Sequence, residues 1–188
     1  VLVCMIGLAI MPTRAQQSPP MLRLHRGTFD GKQSQRSSSM LSSAVANYAI
    51  IQFFQPPTIK QRAALEQTGV QIIEYIPDYA YLVRGSDDQF ATAAKLDGVY
   101  GRFAWTIADK LAPSVLDFVQ SNANQAMQVR VIDWKGNVTT TTYRSAQATF
   151  DLNQPLAINQ ITSLAQNDAI RWIEPVGKPR LLNDQART

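Results

Sequence analysis

Tyr48 to Phe54 reads YAIIQFF, a run of β-branched and aromatic residues that favours a strand, and Pro56-Pro57 breaks it before Thr58 opens a helix. The rest of the fold reads outward from here. Thr58 and Gln61 have capping-box spacing, in which each side chain serves a backbone N–H that the first helical turn leaves unpaired. Gly69 stops the helix, since glycine takes a left-handed C-terminal position without a Cβ penalty. Val70 to Ile76 (VQIIEYI) and Tyr79 to Arg84 (YAYLVR) are two further strands around a Pro77-Asp78 turn, close enough to form a hairpin. Ser86 and Gln89 repeat the capping box, with Asp87 and Asp88 at the positive end of the helix dipole and Lys95 near the negative end. Asp97-Gly98 ends this second helix, and Val99 to Trp105 supplies a last strand.

Strand, helix, strand, strand, helix, strand is the order of an α+β, ferredoxin-like (βαββαβ) unit, expected over residues 47–112. A connecting segment follows over 113–126, with a short helix at Val115 to Val119. A second, degenerate α+β unit is expected over 127–177. It comprises a strand at Met127 to Trp134, a Gly136-Asn137 turn, β-prone runs at Val138 to Tyr143 and Ala146 to Leu152, a helix opened by Pro155, and a strand at Ala169 to Ile173. It lacks an obvious first helix.

The 188 residues suffice for one ordinary domain or two small ones, and 45% hydrophobic against 17% charged residues describes a folded chain. The net charge of +4 is spread over single basic residues, so it does not by itself imply nucleic acid. One Cys and one His are too few for structural zinc sites, disulfide frameworks or the usual nucleophilic triads, and no cofactor is expected. Val1 to Ile10 is too short to span a bilayer and reads as the apolar part of a signal peptide over 1–15, with a Thr13-Arg14-Ala15 site. A basic leading region is missing and the chain opens on Val, so this reading makes it a fragment of a longer exported product, secreted or in the cell envelope. Residues 16–46 are rich in Ser, Gln, Pro and Arg without apolar periodicity, and are expected to be a disordered linker in which His25 is solvated.

Tyr48 to Phe54 is apolar on both faces: Ala49, Ile51 and Phe53 on one, Tyr48, Ile50 and Phe54 on the other. Two helices cover one face of such a sheet, so the other needs a second cover. If Ala80 and Leu82 face the helices, Tyr79 and Tyr81 join Tyr48 and Ile50 on the uncovered side, a candidate partner-docking face. Two covers are open: the second unit of this chain, or a separate domain. An RNA partner is disfavoured, because Gly101-Arg102-Phe103-Ala104-Trp105 echoes the RNA-binding aromatic signature with broken spacing and on the wrong strand.

Glu74-Tyr75-Ile76-Pro77-Asp78-Tyr79-Ala80-Tyr81-Leu82-Val83-Arg84 resembles the central hairpin in the prodomains of secreted subtilisin-like serine proteases. Arg171-Trp172-Ile173-Glu174-Pro175, followed by Leu181-Leu182-Asn183-Asp184-Gln185-Ala186-Arg187, is similar to that family's passage from prodomain into catalytic domain. The resemblance implies a ferredoxin-like prodomain that chaperones and inhibits the catalytic domain of its own precursor, with 178–188 leading toward that domain. It also implies that an extended tail, Glu174, Pro175, Val176, Gly177, Lys178, Pro179, Arg180, Leu181 and Leu182, enters the active-site cleft, where Pro175 and Pro179 would hold extended backbone. A plain interdomain linker explains the same prolines. The family's catalytic Asp, His and Ser have no counterparts within these residues, so none is assigned. The competing expectation is a cell-envelope protein-binding or adhesion module of tandem ferredoxin-like units, with no protease attached and no stable membrane insertion after signal cleavage.

Overall fold

The computed structural model describes residues 20–30, 44–121, 124–145 and 148–177. The signal-peptide reading of 1–15 and the tail from Lys178 to Leu182 lie outside the described residues. The chain is an α+β protein with mostly antiparallel sheets and, among the described residues, four α-helices.

Its centre is a four-stranded antiparallel sheet built from β3 (Ala44–Phe53), β4 (Gln71–Ile76), β5 (Ala80–Arg84) and β6 (Val99–Thr106), in spatial order β4-β5-β3-β6. Helix α1 (Ile59–Gln67) joins β3 to β4, and α2 (Asp87–Ala93) joins β5 to β6. Both capping boxes form: the Thr58 hydroxyl accepts from Gln61 N at 3.2 Å and the Ser86 hydroxyl from Gln89 N at 3.3 Å, with each glutamine carbonyl accepting in return from the cap's own N–H. Gly69 and Gly98, past the ends of the two helices, sit at φ of +87° and +82°, as their stop positions require.

Register decides which residues share a face. Ile50 is opposite Leu82 and Phe103, while Ile51 is opposite Tyr81 and Arg102. Ala49, Ile51, Phe53 and Val83 pack with Leu65 of α1 and with Phe90 and Ala93 of α2. Tyr48, Ile50, Ala80, Leu82, Phe103 and Trp105 fill the other face. The expected parity of β5 is therefore reversed: Ala80 and Leu82 point away from the helices, and Tyr81 points toward them, edge-on to Phe53. The physical reason lies in the tight hairpin turn, which fixes how β4 and β5 pair. Asp78 and Tyr79 both take left-handed backbone, φ 69° and 67°, in the mirror-image turn that matches strand twist. Tyr79 is thus a turn residue and not a member of the sheet face. Tyrosine tolerates this conformation poorly, and bonds from Phe53 N to Tyr79 O and from Gln52 Nε2 to Asp78 O, both 2.9 Å, hold it there.

Segment 16–46 is corrected as well, because its described part is not a linker. Met21–Leu24 (β1) and Gly27–Asp30 (β2) form an antiparallel hairpin, and Leu22 is completely buried in the larger core. Burying one leucine contributes about 1.5–3 kcal/mol, and several polar ties add to it. Arg23 holds Asp78 at 2.6 Å, Arg26 pairs with Asp109, and Tyr100 Oη donates to Asp30 Oδ1 at 2.5 Å. These partners lie 55 to 83 residues away, so no local pattern announces them.

The expected connecting segment 113–126 contains helix α3 (Pro113–Gln120), whose Val115, Leu116 and Val119 are buried in the same core. It supplies the helix that the second unit seemed to lack. That unit's main sheet runs β13 (Ile170–Pro175), β8 (Val129–Asp133), β9 (Val138–Thr139), all antiparallel. Two small pairs join β7 (Ala126–Met127) to β12 (Leu156–Ala157) and β10 (Thr142–Arg144) to β11 (Thr149–Asp151). Helix α4 (Ile158–Gln166) buries Ile161, Leu164 and Ala165. Leu111 bridges Ile173 in parallel, and Ala112 N donates to Ile173 O at 2.8 Å, which sews the end of the first unit to the last strand of the second.

Candidate functional site

Polar and aromatic chemistry concentrates where the two units meet. Past β6 the chain makes a 3-10 turn, Ile107–Lys110, that buries two charged side chains, Asp109 and Lys110, completely. A buried carboxylate needs compensation, and Asp109 receives it from Thr106 N at 2.8 Å, Thr106 Oγ1 at 2.6 Å and the Arg26 guanidinium. Lys110 Nζ donates to Asn167 O across the junction at 2.6 Å. Burial pulls its amine from 10.5 down to about 7, with Asp168 pulling weakly the other way.

The Asn167–Asp168 corner between α4 and β13 collects further contacts. Trp134 Nε1 donates to Asp168 O at 2.7 Å, Arg84 reaches the Asp168 carboxylate at 3.7 Å, and the Tyr48 ring stacks on Trp134 at 5.0 Å. Burial raises the Tyr48 phenol above its ordinary value, partly offset by Arg84. Tyr48 and Ile50 are thus covered within the chain: Tyr48 is 5% exposed and Ile50 0%. Of the two covers left open by the sequence, the second unit of this chain supplies it, joined by the β1–β2 hairpin, which the sequence did not offer as a cover. The expected docking face of Tyr48, Ile50, Tyr79 and Tyr81 is not one surface: the first two are interior, Tyr79 lies in the turn, and Tyr81 belongs to the helix side.

Beside this junction lies a cleft of about 350 Å³ lined by residues from four segments: His25 from the hairpin, Glu74 and Trp105 from the first sheet, Asp109 from the 3-10 turn, and Ile132, Arg171 and Trp172 from the second sheet. Arg171 Nη2 contacts Glu74 Oε2 at 2.5 Å, closing an ion pair between β4 and β13. His25 Nε2 lies 3.0 Å from Ala108 O, and its ring meets Trp172 edge-on at 5.2 Å, so His25, exposed as expected, is nonetheless tied into the junction. Trp105 Nε1 is buried without a partner among the described residues, an omission that costs about 1–3 kcal/mol. Lys110, Trp105, Arg171 and Trp172 are not among the site residues expected from sequence, and His25 is expected there only as a solvated side chain. The one sequence signal was a charged pair, Asp109-Lys110, inside the otherwise apolar stretch Phe103 to Pro113.

The expected tail divides. Glu174 and Pro175 are paired residues of β13, opposite Arg130 and Val129, and Glu174 binds Arg130 at 2.6 Å. They are sheet and not free tail, because Pro175 ends the strand, where its missing N–H is tolerated. Val176 follows outside the strand, still bonded through its N–H to Gln128 O at 3.0 Å, and then Gly177.

Among the described residues no cluster of three or more His, Cys, Asp or Glu could hold a metal ion, and no helix is long and apolar enough to cross a membrane. Comparison with known proteins matches residues 23–108 to a family model described as a domain of unknown function (DUF8729). The match runs from the hairpin through the first sheet and so joins two segments that the sequence reading had separated. No curated protein and no solved structure matches the chain.

Proposed function

We propose that this chain is the propeptide region of an exported subtilisin-like serine endopeptidase, acting as chaperone and substrate-like inhibitor of the catalytic domain of its own precursor. The observation that carries the reading is the first unit's strand–helix–strand–strand–helix–strand order with spatial order second, third, first, fourth, which supports a ferredoxin-like unit of the kind the family resemblance implies. The direction of β13 adds support, since it leads the chain out at Gly177 into the stretch similar to a prodomain exit. With the aromatic face occupied inside the chain, inhibition in this reading falls to the segment beyond Pro175, bound as an added extended strand.

The purified chain should slow peptide hydrolysis by a subtilisin-type catalytic domain, and truncation after Gly177 should abolish the effect. Unchanged turnover with the full chain, together with a gene continuing past Thr188 without Asp-Thr-Gly, His-Gly and Gly-Thr-Ser segments, would sink the proposal. The interunit cleft favours the second reading, a cell-envelope binding module. That reading predicts ligand binding with no effect on any protease.

A further inference from the structure

We propose that the cleft between the two units is a binding site for a neutral saccharide ring. This goes beyond the propeptide reading and stands independently of it. Glu74 is paired with Arg171, and Asp109 with Arg26, so neither an anion nor a cation finds an uncompensated charge there. A neutral ligand meets no such obstacle. Arg171 and Glu74 keep spare hydrogen-bonding capacity, because a guanidinium carries five N–H donors and a carboxylate about four acceptor positions, while their bond here uses one of each. Donors and acceptors side by side suit hydroxyl groups, each of which both donates and accepts.

The walls supply the other half of the chemistry. Trp172 and the imidazole of His25 are flat and apolar across their faces, complementary to the C–H face of a pyranose, with the largely buried Trp105 also lining the cleft. With His25 Nε2–H donating to Ala108 O, the other ring nitrogen is an acceptor whenever the imidazole is neutral. The Trp105 indole N–H, in a side chain 7% exposed, is a buried donor with no acceptor among the described residues. A volume of about 350 Å³ accommodates one sugar ring and lies at the small end of ligand pockets.

The test follows the three tryptophan indole N–H resonances of the full chain during titration with N-acetylglucosamine and with methyl glucoside, using sodium acetate as the anionic comparison. Trp105 and Trp172 should move saturably with at least one of the sugars. Trp134, whose N–H is held by Asp168 O outside the cleft, should not. Arg171→Gln and Glu74→Gln alter partly exposed side chains, and each should weaken binding by about tenfold or more, with an unmoved Trp134 resonance reporting that the fold is intact. The absence of a saturable shift with either sugar would overturn the proposal, as would an equal or larger response to acetate, or variants that bind like the wild type.

Discussion

The two faces of the central sheet are equally apolar in sequence and are closed in different ways. On the helix side, Ile51, Phe53 and Val83 meet Leu65, Phe90 and Ala93, the latter three contributed by connections between strands consecutive in the chain. On the other side, Tyr48, Ile50 and Leu82 meet Leu22 from the hairpin, Leu111 and Val115 from the chain just past β6, and Val131, Ile161 and Ile173 from the second unit. The first closure is local and belongs to the unit itself. The second joins segments up to about 150 residues apart and turns two units into one core, so damage there should travel further.

Leu82→Asp should break the comparison most severely. It places a charge without a partner in the completely buried junction, and the loss should reach about 4 kcal/mol or more, read as loss of cooperative unfolding by both units in calorimetry. Val83→Asp, one residue along and equally buried, should damage the first unit without opening the junction directly; identical hydrogen-exchange maps for the two variants would refute the distinction.

Ile50→Ala and Ile51→Ala form a gentler pair, both completely buried and each expected to cost about 2–5 kcal/mol. The expected difference lies in where protection is lost. Exchange should rise in β8 and β13 for Ile50→Ala, and in α1 and α2 for Ile51→Ala. Equal rises in all four elements would show that the faces are not separable.

Lys110 makes the junction face pH-sensitive. Its folded-state amine titrates near 7 against an ordinary 10.5, so between those values the unfolded chain holds the proton that the folded chain has released. Stability should therefore climb with pH across that window, by up to about 1.4 kcal/mol per pH unit, and Lys110 should add no slope below 7. Lys110→Met should flatten the climb in denaturant titrations at stepped pH. A variant that retains the wild-type slope would assign it to other groups.

The smallest effect should come from Thr58→Ala, which removes a helix cap on the local side and costs about 1 kcal/mol. Its thermal shift should leave the Trp134 indole environment unchanged, because that tryptophan reports the other face.

What the sequence determined by itself was the set of helix caps and stops, whose partners lie within a turn. Thr58 with Gln61, Ser86 with Gln89, and the stops at Gly69 and Gly98 were legible because caps and left-handed positions are written in residues three or four apart. The alternation of β3 was legible too, but alternation states only that two faces exist. Which face Tyr81 joins was decided by the pairing across the Asp78-Tyr79 turn, where a slip of one residue exchanges every side chain between faces. Only the tertiary structure showed that Met21 to Asp30 is a strap and not a linker, since Arg23, Arg26 and Asp30 find their partners at Asp78, Asp109 and Tyr100. Likewise His25, Trp105 and Arg171 come together only where the two units meet. Ion pairs and buried donors are satisfied through space, and spacing along the chain carries no record of which distant segment will supply the partner.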